Sequence, residues 1–228
     1  MKNPFDVVRD FEAALCDYTG APYAVTTTSC TAALMLAVAW HLRDRPMQEL
    51  HDLSYDDDML VRVPERPDIE IPKRTYVGVP MSIIHAGGRP TFRDEEWIGS
   101  YRLKPLPVWD CARIFTSGMW DRPGGMACVS FHWSKTLGIQ QGGAILHDST
   151  EADHWLRRAR FDGRLEGVAP KNQDPRDWIV GWHCYMAPET AAAGLVRLAT
   201  LPQHNDPLPW GPGTDSDYPD LSTLDIFK

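Results

Sequence analysis

The sequence predicts an α/β fold in which a largely parallel sheet is covered by helices. Stretches with apolar residues at helical spacing alternate along the chain with short apolar runs that are typical of buried strands. Such alternation favours parallel strands that are connected by helices. With 228 residues, of which 43% are hydrophobic, the chain can form one sizeable globular domain or two small ones.

The amino-terminal part begins with a predicted helix, a strand and a second helix. Asn3 and Pro4 resemble a helix start, because asparagine caps helices and proline fits the first helical position. Apolar residues then recur at helical spacing until Gly20, which can end the helix. Residues 24–27 are predicted to form a short strand, and the alanine- and leucine-rich residues 31–42 a helix.

The alternation continues to about residue 161. The polar, proline-punctuated residues 45–67 are predicted to form a loop or insertion, with the acidic run from Asp56 to Asp58 as a solvated face. The tail from Pro202 is rich in Pro, Gly and Asp, and we expect an extended arm or partial disorder there. Further strands are predicted at 68–71, 90–93, 107–109, 127–131 and 144–146, and further helices at 79–85 and 151–161.

Composition narrows the class of protein. A formal net charge of -8 argues against a nucleic-acid or anionic-membrane partner and favours a small molecule or a second copy of the chain. The five cysteines are odd in number and form no C-x-x-C pair, so neither a disulfide framework nor a metal site is predicted. The amino terminus lacks the apolar core of a signal peptide, and no stretch is long enough to cross a bilayer. We therefore expect a cytoplasmic protein.

Four segments that follow predicted strands carry chemistry that would meet at one edge of the sheet, since ligands of parallel α/β sheets bind outside the carboxyl ends of the strands. The first is the turn of Ser29, Cys30 and Thr31, which opens a helix. Its backbone N–H groups and the positive end of the helix dipole would form a phosphate cradle; the alternative is an ordinary helix cap. The second is Tyr76, whose ring could stack on a planar ligand or pack in the core.

The other two segments supply a carboxylate and an amine. Asp110 follows the strand at 107–109, and a buried carboxylate needs a partner, which could be a pyridinium nitrogen, a helix cap or an arginine. Lys135 follows the run at 127–131, and its amine is nucleophilic only if burial or a neighbouring charge disfavours the ammonium form; a lone lysine is more often a solvated surface residue. Ser130 offers a second hydroxyl to a phosphate. A planar cationic heterocycle, a phosphate and an aldehyde carbon would account for all four segments, which predicts pyridoxal 5'-phosphate (PLP) as the cofactor.

These segments and the residues around them carry seven motifs in an order that is found in one known family. The motifs are Ser29-Cys-Thr-Ala-Ala-Leu for S-G-T-A-A-L, Ile71-Pro-Lys-Arg-Thr-Tyr-Val for P-x-x-T-F/Y-V, Val108-Trp-Asp-Cys-Ala for E-D-A-A, Ser130-Phe-His-Trp-Ser-Lys for S-F-H-x-x-K, Gln141-Gly-Gly-Ala for E-G-G-A, Arg160-Phe-Asp-Gly-Arg for R-x-x-G-R and Gly181-Trp-His-Cys-Tyr-Met for G-Y-N-Y-R-M. Together they resemble the DegT/DnrJ/EryC1/StrS family of PLP-dependent aminotransferases, from about residue 5 to residue 200.

The resemblance implies a fold and a set of roles. Residues 1–201 would form the large domain of a fold-type I PLP-dependent transferase, a three-layer α/β/α arrangement with a mostly parallel central sheet, and residues 202–228 an extended tail in place of the usual small domain. Lys135 would hold PLP as a Schiff base and then shuttle a proton, while Asp110 would keep the pyridine nitrogen protonated. The remaining cofactor contacts that the resemblance implies are Ser29, Cys30, Thr31, Tyr76, Arg113, Ser130 and His183.

The sequence also departs from the family pattern. Cys30 replaces a glycine in the phosphate turn, which is tolerable where the contact is a backbone N–H. Arg113 stands where the family has Gln or His beside the phenolic oxygen, and it could pair with that oxygen or with a substrate carboxylate or phosphate. His183 replaces an asparagine that reaches the phosphate from the neighbouring subunit, and it could donate across a dimer interface or simply pack. Tyr185 replaces an arginine.

The reaction implied by the resemblance is transfer of an amino group from a donor, with glutamate expected, to a keto acceptor such as a keto sugar or nucleotide sugar. A cytoplasmic homodimer with shared active sites would perform it. Lysine at position 135 favours transamination over dehydration, because the related sugar dehydratases carry histidine there. The alternative is a truncated, non-catalytic homologue that binds PLP or another subunit, suggested by the end of the chain at Lys228 and by the changes at positions 113, 183 and 185.

Overall fold

Helices and strands alternate along most of the chain. A computed structural model describes residues 3–45, 47–52, 59–209 and 217–228, with the backbone alone for residues 47–52 and 59–64. In chain order the elements are α1 Asp6–Thr19, β1 Tyr23–Thr27, α2 Cys30–Leu42, β2 Met47–Asp52, β3 Met59–Pro64, β4 Asp68–Pro72, α3 Gly78–His85, β5 Arg89–Arg93, β6 Tyr101–Leu103, β7 Val108–Asp110, β8 Met126–Ser130, β9 Gly143–His147, α4 Thr150–Ala159 and α5 Pro188–Leu198. Short 3-10 helices lie at Pro170–Asn172, Pro175–Asp177, Leu221–Thr223 and Asp225–Phe227.

The central sheet is mixed. Five strands are hydrogen-bonded in the order β1-β9-β8-β7-β6, and the β7–β8 pairing is parallel whereas the other three pairings are antiparallel. β4 and β5 form a parallel pair, and Glu70 of β4 makes an antiparallel bridge to Lys104, directly after β6. It follows that β1, β4, β5, β7 and β8 share one direction, while β6 and β9 run against them.

The α/β class predicted from the sequence is confirmed, but the sheet is less parallel than expected. β9 lies between β1 and β8, and β6 lies beside β7, both in the opposite direction to their neighbours. Residues 131–142 join β8 to β9 without a helix, and residues 104–107 join β6 to β7 in the same way. Neighbouring parallel strands need a crossover connection, so these short connections enforce antiparallel pairing.

Helices cover both faces of the sheet, which confirms the three-layer arrangement. In β8, the side chains of Met126 and Cys128 pack into a core with α2, α3 and α4, whereas Ala127 and Val129 face a second core with α1 and α5. Successive side chains of a strand point to opposite faces, so a strand that is apolar throughout must be buried on both sides. The division of the chain at residue 201 stays a prediction.

Several elements differ from the sequence-based predictions. The prediction of a loop over residues 45–67 is wrong at β2 and β3, which pair in antiparallel register from Met47 opposite Pro64 to Asp52 opposite Met59. Their hydrogen bonds depend on pairing, which the local polarity of this segment does not reveal. The acidic run at 56–58 lies outside the described residues. β6 and α5 were not predicted from the sequence.

The tail is ordered where it is described. Residues 202–209 follow an irregular path, and residues 217–228 contain two 3-10 helices with Leu221 fully buried. The Leu221 N–H donates to the carbonyl of Lys73, and the ring of Phe227 lies 5.7 Å from that of Phe92. Residues 217–228 of the tail therefore pack against β5 and the end of β4. None of the helices in the described ranges is long and apolar enough to span a bilayer.

A buried ion cluster ties α1 to β1 and α4. Glu12 accepts hydrogen bonds from the backbone N–H and hydroxyl of Thr26, at 2.9 and 2.8 Å, and pairs with Arg160 and Arg157. Burial alone would raise the pKa of Glu12, but the two arginine charges and these hydrogen bonds outweigh it and lower the pKa to about 2. The cluster thus stabilises the ionised carboxylate in the folded protein.

Candidate active site

Four of the five strands that share one direction end at a common pocket. It has a volume of about 300 Å³, at the lower end of the range for small-molecule sites. The carboxyl ends of β1, β4, β7 and β8 open onto it, as expected for ligand sites of α/β sheets. Its lining comprises Ser29, Cys30, Thr31, Leu34, Thr75, Tyr76, Val79, Trp97, Asp110, Ala112, Arg113, Ser130, His132, Ser134, Lys135, Gln141, Gly142 and Tyr218.

The amino terminus of α2 forms one wall. Ser29 caps the helix, because its hydroxyl accepts a hydrogen bond from the Ala32 N–H at 3.1 Å. The N–H groups of Cys30 and Thr31, in the first turn, have no acceptor within the helix. A Cβ on Gly143 would lie 2.5 Å from the Cys30 nitrogen, so glycine is required for β9 to approach the start of α2. Ser29 is therefore a helix cap, as the alternative interpretation predicted. Because its hydroxyl oxygen acts there as an acceptor, the hydroxyl can still donate its proton to a ligand.

Cys30 contributes its backbone rather than its thiol. The Sγ–H is buried and donates to the carbonyl of Cys128 at 3.6 Å. Burial, with the negative charge of Asp110 as a smaller cause, raises the pKa of the thiol well above its ordinary value. A neutral thiol that is directed into the core leaves the helix start unaltered, which explains how cysteine can stand where the family motif has glycine.

Asp110 is the acidic group of the pocket. It ends β7, is 4% exposed, and accepts hydrogen bonds from Tyr101 Oη at 2.9 Å and from the Ala112 N–H at 2.8 Å. Burial raises the pKa of Asp110, whereas the Ala112 N–H, the Tyr101 hydroxyl and the charge of Lys135 act in the opposite direction. A cationic ligand group would complete the partners of this carboxylate.

Lys135 lies in the loop after β8, beside Ser130. Its N–H donates to the carbonyl of His132 at 2.8 Å, which closes a turn directly beyond the end of the strand. Partial burial, then the positive charge of Arg113, lower the pKa of the Lys135 amine, and the charge of Asp110 opposes them. The amine is thus biased toward its neutral, nucleophilic form.

Tyr76 stands at the mouth of the pocket and is 56% exposed. It precedes α3, and the absence of a side chain at Gly78 lets its ring approach α2. A Cβ there would lie 2.7 Å from the Tyr76 ring and 2.9 Å from Thr31 Oγ1. Of the two interpretations of Tyr76, core packing is wrong, because the ring is more than half exposed beside the phosphate turn.

Arg113 is held by the tail. Its Nε donates to the carbonyl of Leu208 at 3.1 Å, its Nη2 donates to the carbonyl of Pro209, and its own carbonyl accepts from the Leu208 N–H at 2.8 Å. The side chain is buried, and it also lines the pocket. Tyr218, from the second described part of the tail, lines the pocket as well.

His183 lies apart from the pocket. Its side chain is 70% exposed, and Nδ1 lies 3.1 Å from both carboxylate oxygens of Asp162. The structure therefore brings together eight of the nine predicted site residues and leaves His183 on the surface of the subunit. Its expected reach into a neighbouring subunit stays a prediction.

Three aromatic residues were not predicted from the sequence: Trp97 and Tyr218, which line the pocket, and Tyr101, which contacts the lining residue Asp110. Trp97 and Tyr101 come from the chain around β6, and Tyr218 is separated from Asp110 by more than a hundred residues. Tyr101 lies directly opposite Asp110 in the β6–β7 register. The apolar-polar-apolar pattern of Tyr101, Arg102 and Leu103 is its only signal, and three residues are too few to identify a strand or its partner.

Comparison with known proteins decides the family. The sequence profile of the DegT/DnrJ/EryC1/StrS aminotransferase family matches residues 2–48 and 106–207, well over half of the chain. The chain belongs to this family. Residues 49–105, which include Tyr76, Trp97 and Tyr101, lie outside the match.

Solved structures share the fold of this DegT/DnrJ/EryC1/StrS protein. A protein from Bacillus cereus that is described as a PLP-dependent aminotransferase is 19% identical, with a TM-score of 0.62, over 85% of this chain and 58% of its own. A DegT/DnrJ/EryC1/StrS aminotransferase from Brucella abortus is 16% identical, with a TM-score of 0.60, over 85% and 58%. A GDP-4-keto-6-deoxymannose-3-dehydratase is 17% identical, with a TM-score of 0.62, over 86% and 61%. The chain spans less than two thirds of the length of each.

PLP is the cofactor expected for a chain of this family, and the pocket fits it. The buried acid Asp110 is suited to a cationic ring nitrogen, and Lys135 offers an amine with a lowered pKa to an aldehyde. The start of α2 offers N–H groups to a phosphate. The donor set thus matches the three chemically distinct ends of the cofactor.

Proposed function

We propose that the protein is a PLP-dependent aminotransferase, in which Lys135 and Asp110 act on opposite ends of the cofactor. The observation that carries the proposal is their convergence in one pocket with the amino terminus of α2. The identity of the acceptor follows the family, and we propose a keto sugar or nucleotide sugar, with glutamate as the amino donor.

Lys135 performs the covalent and proton-transfer steps. Its neutral Nζ would bond to the aldehyde carbon of PLP, would be freed when the donor amine takes its place, and would then move a proton away from the donor carbon. Partial burial, and then the charge of Arg113, lower the pKa of Nζ, which both roles require. Bound PLP supplies an electron sink for the charge that this proton loss creates.

Asp110 and the phosphate turn orient the ligand. The ionised Asp110 carboxylate would accept a hydrogen bond from the protonated pyridine nitrogen and so would stabilise the cationic ring. Backbone N–H groups of Cys30 and Thr31, with the hydroxyls of Ser29 and Ser130, bind the phosphate at the positive end of α2. The exposed ring of Tyr76 covers one face of the pyridine ring.

A second subunit completes the site in this proposal. His183 is exposed, and its ring is oriented by Asp162 at 3.1 Å, so it can donate a hydrogen bond to a group outside its own subunit. Arg113 binds either the phenolic oxygen of PLP or an acidic group of the substrate. The protein therefore acts as a homodimer whose two pockets share residues.

Spectroscopy with one substitution tests the proposal. The purified protein should develop the visible absorbance of lysine-bound PLP, lose it on addition of glutamate, and retain the label after borohydride reduction. Lys135→Ala should abolish all three responses, because Lys135 is the one lysine that lines the pocket among the described residues. Lys171→Ala, at an exposed position of the 3-10 helix Pro170–Asn172, should leave them unchanged. Equal behaviour of the two variants would refute the proposal.

A non-catalytic homologue is the second candidate, and one observation favours it. Arg113 is bound by the carbonyls of Leu208 and Pro209, so the tail restrains the residue beside the cofactor. In that case PLP would bind and be trapped on Lys135, but glutamate would not produce pyridoxamine phosphate. Quantifying pyridoxamine phosphate after a single turnover separates the two: stoichiometric formation excludes the non-catalytic candidate.

A further inference from the structure

Tyr101 is placed by the sheet to act on Asp110. β6 and β7 pair in antiparallel register with Tyr101 directly opposite Asp110. Side chains of directly opposed residues lie on the same face of a sheet and within contact distance. The result is a hydrogen bond from Tyr101 Oη to Asp110 Oδ2 at 2.9 Å, with both residues only 4% exposed.

The direction in which the Tyr101 hydroxyl donates its proton defines a hydrogen-bonded chain of three side chains. A tyrosine hydroxyl has one proton, and that proton is donated to Asp110. Thr75 Oγ1, which lies 2.6 Å from Tyr101 Oη, must therefore donate to the tyrosine oxygen. Thr75 is 1% exposed, so the chain from Thr75 through Tyr101 to Asp110 is shielded from water, and each donor polarises the next.

The ring of Tyr101 has little freedom to leave this position. Trp97 packs edge-to-face against it with the ring centroids 4.7 Å apart, and the Trp97 Nε1–H donates to the carbonyl of Arg74 at 3.0 Å. Burial raises the pKa of Tyr101 well above its usual value, and the negative charge of Asp110 adds to this effect. The hydroxyl accordingly remains a proton donor over the whole range in which the protein would work.

We propose that Tyr101 is a positioning residue that keeps Asp110 ionised and aims its carboxylate at the pyridine nitrogen of PLP. The inference rests on the proposed function, because it assigns a target to the carboxylate. A protonated Asp110 would carry no charge to balance a pyridinium, and burial alone would favour that protonated form. Tyr101 occupies one acceptor site of Oδ2 and the Ala112 N–H one of Oδ1, so each oxygen can still accept a further hydrogen bond, and Asp110 lines the pocket.

Other ionisable groups around Asp110 do not take over this role. Lys135 and Arg113 favour the carboxylate by charge, but each has a further task in the pocket. The buried thiols stay neutral and give no support to an anion. Among the described residues, six titratable or charged groups interact electrostatically or by hydrogen bonds with Asp110: Tyr101, Lys135, Arg113, Cys30, Cys111 and Cys128.

The residues that support Asp110 lie outside the two stretches that match the family profile. Thr75, Trp97 and Tyr101 all lie within residues 49–105, which the profile does not match. Asp110 lies within the matched residues. The family match therefore includes Asp110 but not the three residues that position it.

Tyr101→Phe tests the inference with two separate measurements. In the protein without PLP, the Asp110 carboxyl should titrate at higher pH, as followed by carbon-13 NMR with Asp110→Asn to identify the signal. In the presence of PLP, affinity should fall about tenfold, because a charge-assisted hydrogen bond to the carboxylate is lost. Tyr23→Phe, which removes a hydroxyl contact to Thr150 at the far end of β1, should change neither.

The outcomes separate this inference from the proposed function. An unchanged Asp110 titration together with unchanged PLP affinity in folded Tyr101→Phe overturns the role of Tyr101. If the wild-type protein fails to bind PLP, the proposed function is wrong, and so is the assignment of the pyridine nitrogen as the target of Asp110. A higher Asp110 pKa in Tyr101→Phe would still support the hydrogen-bonded chain. Should Tyr101→Phe not fold, Thr75→Val carries the test, with a smaller shift in the same direction expected, and no shift overturning the inference.

Discussion

At the scale of single residues, burial shifts the pKa values of the two principal groups of the pocket, Asp110 and Lys135, in opposite directions. It raises the pKa of Asp110 and lowers that of Lys135, so each group is moved toward its neutral form. For Lys135 the neutral form is the reactive one. For Asp110 it is the inactive one, which is why hydrogen bonds from Tyr101 and Ala112 matter to the carboxylate.

Replacement of Asp110 should separate cofactor attachment from turnover. In Asp110→Asn, PLP should still be trapped on Lys135 by borohydride, but the half-reaction with glutamate should slow roughly 100-fold, because an amide cannot balance the pyridinium charge. Stopped-flow absorbance measures the rate. Asp206→Asn, at an exposed position, serves as the control. A half-reaction at the wild-type rate in Asp110→Asn would show that this carboxylate does not act on the ring.

The pH dependence of PLP attachment should report the charge of Arg113. The pKa of Lys135 is lowered by burial and by Arg113, so the neutral amine should be populated at lower pH than in an exposed lysine. Arg113→Met removes the positive charge, and the midpoint of PLP attachment should move to higher pH. Borohydride trapping across a pH series measures this midpoint. A midpoint that stays in place, or moves to lower pH, would show that the charge of Arg113 does not lower the pKa of Lys135.

At the scale of elements, the site depends on how β9 meets the start of α2. Gly143 allows the close approach, and Ser29 caps the helix whose first N–H groups face the pocket. The helix α4 begins in the same manner, since Ser149 Oγ accepts from the Ala152 N–H at 3.2 Å. The protein thus contains two equivalent serine caps, of which one lines the pocket.

This pair of caps separates capping from phosphate binding. Ser29→Ala and Ser149→Ala should each lower the free energy of unfolding by about 1 kcal/mol, because each removes an N-cap hydrogen bond. Only Ser29→Ala should also weaken PLP binding, several-fold, through loss of a hydroxyl donor. Urea unfolding and PLP titration of both variants provide the two readouts. Equal PLP affinity in the two variants would assign Ser29 to capping alone.

Much of the fold could be predicted at this scale. The apolar spacing of α1 and the all-apolar run of β8 depend on local sequence, and both are confirmed with small changes at their ends. β6, by contrast, has three residues and owes its existence to pairing with β7 and to the bridge between Glu70 and Lys104. The contact of Tyr101 with Asp110 follows from that pairing, so the sequence alone could not reveal it.

At the scale of the whole molecule, the tail and the ion cluster hold distant parts of the chain together. Motif order identified eight residues that converge on the pocket, because each lies at a strand end or helix start. It could not identify Tyr218, since nothing in the local sequence indicates that the tail returns to the pocket. The carbonyl contacts of Leu208 and Pro209 with Arg113 were hidden for the same reason.

The ion cluster should make stability depend on acid pH. The pKa of Glu12 is lowered from its usual 4.5 to about 2, so its contribution of about 3 kcal/mol is fully present above pH 4.5 and is lost as the pH falls toward 2. Glu12→Gln should therefore be destabilised at neutral pH, by a margin that shrinks in acid. Urea midpoints across pH measure the difference, and the exposed Glu96→Gln serves as the control. A margin that is constant with pH would contradict the assigned ion pairs.

The tail should unfold together with the domain. Leu221 is fully buried, whereas Ile226, five residues further on, is 60% exposed. Leu221→Ala should lower the free energy of unfolding by about 2–3 kcal/mol, and Ile226→Ala by less than about 0.5 kcal/mol. Equilibrium urea unfolding monitored by tryptophan fluorescence measures both. Equal, negligible effects would mean that the tail is not part of the cooperative unit.

The attachment of PLP to one lysine is the most direct test of the account. The protein is incubated with PLP, reduced with borohydride, digested and examined by mass spectrometry for pyridoxyl-modified peptides. The account predicts stoichiometric modification of Lys135, because its amine lies in the pocket with a lowered pKa. Modification spread over exposed lysines, or the absence of any modified peptide that contains Lys135, would contradict it.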